Sequence, residues 1–95
     1  MVQNTDDKFY DRADAHIHLS NEHCEDIGAG KVSASMMYAT ARFNTWVSAC
    51  GFENAGQMKE DRQQTIEYFV SEYKKMLEEN LDDYIENFDK YMQRG

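Results

Sequence analysis

The sequence predicts an all-α fold, a three-helix antiparallel bundle with a long C-terminal helix. Composition is the first reason: 95 residues contain no Pro and only five Gly, while Glu, Lys, Gln and Met are frequent, which favours helix over sheet. Periodicity is the second, because apolar residues recur at the three- and four-residue spacing of a helix face. The third is the stretch Val32–Cys50. Eighteen acidic residues are spread through the chain, yet none falls between Lys31 and Phe52. Hydrophobic content of 41% with 13% aromatics is too high for a disordered chain, and the length suits one domain with a single core.

Residues 1–5 read as a disordered tail ahead of a single helical domain over residues 6–92. Thr5 before Asp6 and Asp7 resembles an N-cap with acids in the first turn, where they favour the helix dipole. A first helix is expected from Asp6 to about Asp26, with a thin stripe of Phe9, Ala13, Ile17, Ser20 and Cys24. Gly28 or Gly30 is positioned to end it in the left-handed conformation.

The central helix is expected over Val32–Cys50. Val32, Met36, Ala39, Phe43, Trp46, Val47 and Cys50 share one face, and the opposite side carries Ala34, Met37, Tyr38 and Ala41. A helix apolar most of the way round is normally buried from several sides. Gly51 should stop it as a glycine cap. In the connection Phe52–Met58, Asn54 followed by Gln57 forms a candidate capping box.

Lys59–Tyr91 carries the strongest helical pattern. Ile66, Val70, Tyr73, Leu77, Tyr84, Phe88 and Tyr91 hold one stripe, and Glu67, Glu72, Glu78, Glu79, Asp82, Glu86 and Asp89 lie away from it. The phase persists through Asn80–Asp83, which favours one continuous helix. A break there, with Asn80 ending one helix and Asp82 or Asp83 capping the next, is the alternative. A continuous helix of about 50 Å would outrun the central one and leave its aromatic end needing a partner, with a second copy of the chain as candidate.

A net charge of −8 and a pI near 4.7 argue against nucleic acid or an anionic membrane, both of which select basic surfaces. The N-terminus has neither a basic n-region nor an apolar h-region, and no run approaches the roughly 20 apolar residues of a membrane span. A cytoplasmic protein is expected, with Cys24 and Cys50 reduced, although two cysteines could bridge after oxidation.

Chemistry-bearing patterns are sparse. His16 and His18 would project about 200° apart on a helix, and His23 sits about 10 Å from His16 along its axis, which is not zinc-ligand spacing. Adjacent carboxylates at Glu78–Glu79 and Asp82–Asp83 diverge by about 100° and form no acid/base pair. No catalytic motif, metal site or cofactor site is found, and enzyme activity has no support in the sequence. Arg42 is the one charge within the apolar central stretch. A guanidinium there needs a planar acceptor such as Glu79 or Asp83, either as a strut setting helix register or as an anchor for a ligand carboxylate or phosphate helped by Asn44 or Asn80.

Two strings are distinctive. Tyr38-Ala39-Thr40-Ala41-Arg42-Phe43-Asn44 follows Val32-Ser33-Ala34, and Met76-Leu77-Glu78-Glu79-Asn80-Leu81-Asp82-Asp83-Tyr84 follows Tyr68-Phe69-Val70. On these the chain resembles a family of small proteobacterial proteins, domain of unknown function 3144, from about Phe9 to Tyr91. The resemblance implies a bacterial helical protein and brings no catalytic residue. Arg42, Asn44, Asn80 and Asp83 are the polar members of both strings and form the candidate site. The expected role is a protein–protein interaction or self-associating module, with a homodimer or an unknown protein as partner. The alternative is a binding protein for a small anionic ligand held by Arg42 between the central and C-terminal helices.

Overall fold

A computed structural model describes residues 5–93 and contains five helices: α1 (Phe9–Cys24), α2 (Ala29–Ala49), α3 (Ala55–Glu60), α4 (Arg62–Glu86) and α5 (Phe88–Tyr91). No strand occurs among the described residues, so the all-α expectation holds. The expected N-terminal tail lies outside the described residues except for Thr5. The chain divides into two compact units, one spanning Thr5–Lys59 and the other running from Glu60 onward.

In the first unit, α1 starts at Phe9, three residues later than expected. Asp6 explains the delay. Its Oδ1 accepts the Lys8 N–H at 2.9 Å, and its carboxylate takes both terminal nitrogens of Arg12 at 3.2 and 2.7 Å. An Asp that engages the N–H two residues on closes a local turn, which competes with helix at that point.

The turn between α1 and α2 corrects the glycine reading. No glycine among the described residues has a positive φ. The end of α1 is closed instead by tightened bonds, with Glu25 N–H donating to Glu22 at 3.2 Å and Asp26 N–H to His23 at 3.1 Å. Gly28 adopts φ −58, ψ 148 and serves as the N-cap of α2, so that helix begins at Ala29 rather than Val32. Its carbonyl accepts from Lys31 at 3.1 Å and Val32 at 3.2 Å. Because the turn is short, α1 and α2 pack on each other. The Ser20 hydroxyl donates to Met36 Sδ at 3.4 Å, and these two residues lie equally far from Gly28 along the chain.

The far end of α2 follows the same rule. The helix stops at Ala49, Cys50 stays right-handed, and Gly51 N–H returns to the Ser48 carbonyl at 3.0 Å. The capping box is present in shifted form. Gln57 N–H donates to Asn54 Oδ1 at 3.0 Å, while Gln57 Oε1 accepts from the Glu53 N–H at 2.8 Å, one residue before the usual donor of that bond. This cap starts α3 at Ala55, inside the stretch expected to be a connection.

In the second unit, α4 runs without a break through Asn80–Asp83, so the continuous reading is the observed one. Its 25 residues span about 37 Å. The interruptions fall elsewhere, at Asp61 before it and at Asn87 after it. Asn87 departs from helical geometry at φ −113, ψ 27, yet Asn87 N–H still reaches Asp83 at 2.9 Å and Tyr91 N–H reaches Asn87 at 3.0 Å. The aromatic stripe therefore continues into α5.

Burial departs most from expectation. Val32 is the buried residue of α2, whereas Phe43 is 62% exposed and Trp46 63% exposed. Within its unit the helix packed along α2 is α1, whose thin apolar stripe covers one flank of a helix that is apolar nearly all round.

Candidate functional site

Arg42 and Asn44 both sit on α2, two residues and so about 200° apart. Arg42 is exposed and Asn44 is half-buried. Among the described residues, Arg42 makes no ion pair within its own unit. Its neighbourhood on the helix is aromatic. The Phe43 and Trp46 rings lie 5.8 Å apart in a tilted arrangement, and exposed Met37, Tyr38 and Val47 share the helix. Thr45 points its hydroxyl back at the Ala41 carbonyl at 2.8 Å, so it spends its polarity on the backbone. The outcome is an aromatic and aliphatic surface with one cation and no carboxylate.

Asn80 and Asp83 belong to the other unit and share a side of α4 by their i, i+3 spacing. Asn80 Nδ2 donates to the Met76 carbonyl at 2.7 Å. Asp83 is the hub of a cluster at the C-terminal end of α4. Asn87 Nδ2 donates to its Oδ1 at 2.9 Å and to its carbonyl at 3.1 Å, and the Tyr91 hydroxyl donates to Oδ2 at 2.9 Å. The Tyr84 and Tyr91 rings stand 4.6 Å apart, and Lys90 Nζ lies 5.9 Å from the Tyr91 ring centre. The hydrogen bond to Asp83, then desolvation and the negative charge beside it, push the Tyr91 phenol above its usual pKa. Asn87 and Tyr91 were missed as site residues. The signal was present, since 83, 87 and 91 are spaced four residues apart on one side of a helix.

Within its own unit, α4 covers a different track from the expected stripe. Half-buried or buried positions on α4 are Thr65, Phe69, Glu72 and Met76, the track one residue away and about 100° round from Ile66, Val70, Tyr73 and Leu77. Those four apolar residues are exposed, Val70 by 61%. Glu72 was placed on the solvated side, yet it is 8% exposed and pairs with Lys75 Nζ at 3.0 Å. The i, i+3 partner offsets the cost of covering a carboxylate.

The histidines lie on α1, exposed, and among the described residues no group of three or more His, Cys, Asp or Glu is arranged to hold a metal ion. Cys24 and Cys50 are free and exposed. Among the described residues, no helix is long and apolar enough to cross a membrane.

The family model described as "Protein of unknown function (DUF3144)" matches residues 9–85. The chain belongs to this family. Both distinctive strings fall inside the match, and with them all four candidate residues. Among solved structures, the chain is similar to "NMR structure of the protein NB7890A from Shewanella sp", with 41% sequence identity and a TM-score of 0.79. That similarity covers 98% of this chain and 99% of the other, so the two share their fold from end to end. No curated protein matches.

Proposed function

We propose that this DUF3144 protein is a helical protein–protein interaction module. The observation that carries the reading is the outward-facing aromatic surface of α2. Phe43 and Trp46 form a ring pair on a helix without a single carboxylate, and both are more than three-fifths exposed. Contiguous apolar surface of this kind marks contact sites, and aromatic residues beside an Arg are the composition of interface centres. A cytoplasmic setting goes with this reading, supported by two free thiols and an acidic, unbridged chain.

Photocrosslinking from within the surface tests it. With p-benzoylphenylalanine at position 43 in bacterial cells, irradiation should yield a product heavier than the chain that contains a second polypeptide. Irradiation that leaves every chain at its own mass would overturn the reading. A second reading, a small anionic ligand anchored by Arg42, rests on that exposed guanidinium having no ion pair in its own unit. It requires a constant extra mass per chain in native mass spectrometry. Multiples of the bare chain mass alone would remove it.

A further inference from the structure

The two cations of α2 share a face. Tyr38 and Arg42 fall within about 20° of Lys31 round the helix, and Lys31 and Arg42 stand about 16 Å apart along its axis. That face is turned away from α1. Buried Val32 and Met36, which accepts the Ser20 hydroxyl, lie about 100° and 140° round from Lys31. Lys31, Ser35, Tyr38, Arg42 and Thr45 are all exposed, Tyr38 by 70%. Trp46, 63% exposed, flanks them about 60° round.

Charge decides what fits this face. The chain has eighteen acidic residues, yet none stands on α2. Among the described residues, neither Lys31 nor Arg42 makes an ion pair within its own unit. One small anion cannot touch two cations about 16 Å apart, and a nucleic-acid strand would be repelled by a chain of net charge −8. The matching surface carries carboxylates about three helical turns apart, with apolar side chains between them to cover Tyr38 and Trp46. A helix meets both conditions, because side chains at that spacing share one face of it. Ser35 and Thr45 are small and lie on either side of Tyr38, which leaves room for the ridge of an incoming helix. Two copies of this chain, each at −8, repel as wholes, whereas another protein can carry an acidic segment without that overall charge.

We propose that the Lys31–Tyr38–Arg42 face of α2 docks an acidic amphipathic helix of a different protein, with Lys31 and Arg42 pairing to its carboxylates. The proposal rests on the interaction-module reading and names the kind of partner at that helix.

Photocrosslinking from the face itself tests it. With p-benzoylphenylalanine in place of Tyr38 in bacterial cells, irradiation should yield an adduct whose attached peptide, sequenced by mass spectrometry, comes from another protein and carries more carboxylates than bases. Lys31→Glu combined with Arg42→Glu should cut that adduct by about tenfold or more, while Lys31→Arg combined with Arg42→Lys should retain it. Both pairs should keep the helical circular dichroism. If the reversed pair loses it, Lys31→Gln with Arg42→Gln removes the charges without adding acid and should also cut the adduct. A neutral or basic attached peptide would overturn the proposal, as would one from a second copy of this chain. So would an adduct that survives loss of both cations in a folded chain. If position 38 gives no adduct while position 43 still does, this docking face is wrong and the interaction reading stands. If neither position gives one, both fall.

Discussion

Tyr91 shows how a single side chain ties off the end of α4. Its hydroxyl reaches back to Asp83 over two helical turns, and the bond holds the phenol protonated beyond its ordinary range. A group whose folded pKa is raised contributes stability that is full below the unfolded value of 10.0 and is lost as pH rises through the folded value. The α4–α5 junction should therefore hold at neutral pH and loosen above pH 10, with Tyr91 ionising above its ordinary value by NMR. Tyr91→Phe should erase that titration. An early-ionising Tyr91 would show that the Asp83 bond is not formed in solution. Asp6 behaves in the opposite sense. The hydrogen bond from Arg12, and the Lys8 N–H after it, lower its pKa, so its contribution is present above the ordinary value of 3.8 and is lost as pH falls through the depressed folded value. Arg12→Gln should raise the Asp6 pKa toward its ordinary value. Both groups are exposed and the effects on stability are small, so the titrations themselves are the measurement. Residue identity made Asp83 visible as a candidate. Its partners were hidden because the reading looked across helices for an Arg, whereas Asn87 and Tyr91 supply the donors along the same helix.

At the scale of elements, periodicity was enough to place every long helix and the unbroken run of α4 through Asn80–Asp83, because an interruption there would have thrown the stripe out of phase. Helix ends were less legible. The glycine rule assumes that a chain reverses through a left-handed residue, but short turns such as Glu25–Gly28 and Cys50–Asn54 are closed here by right-handed residues and tightened hydrogen bonds. Gly30 is then the second residue of α2, with nothing within 4 Å of where a Cβ would sit. Gly30→Ala should raise stability by about 0.5–1 kcal/mol, measured as a higher urea midpoint at a fixed chain concentration. A left-handed cap at that position would give the reverse sign. Asn54→Ala should cost about 1 kcal/mol, since Asn54 Oδ1 satisfies the Gln57 N–H at the start of α3. What the pattern could not convey was which of two neighbouring tracks on α4 is covered. Ile66, Val70, Tyr73 and Leu77 are more apolar than Thr65, Phe69, Glu72 and Met76, and apolarity identifies a surface that some partner must cover without saying whether that partner belongs to the same chain.

For the molecule as a whole, the decisive quantity is a net charge of −8 on 95 residues. Two such chains repel at long range even where exposed apolar faces attract at contact, so encounter and adhesion depend on salt in different ways. At about 0.01 M ionic strength the screening length is about 30 Å, comparable to α4 itself, and at about 0.15 M it shrinks to about 8 Å. Added salt therefore removes most of the long-range repulsion while apolar contact between chains, whose strength is not Coulombic, is left intact. The association rate of separated chains, followed by energy transfer between donor- and acceptor-labelled protein after mixing, should rise across that interval. The dissociation rate should change far less, because it reports the apolar and short-range contacts made once the chains have met. An association rate that falls with salt would mean that attraction steers the encounter. The meeting surface would then have to be one where the acidic carboxylates of one chain find a cation first, which points to the Lys31–Arg42 side of α2 on the other chain.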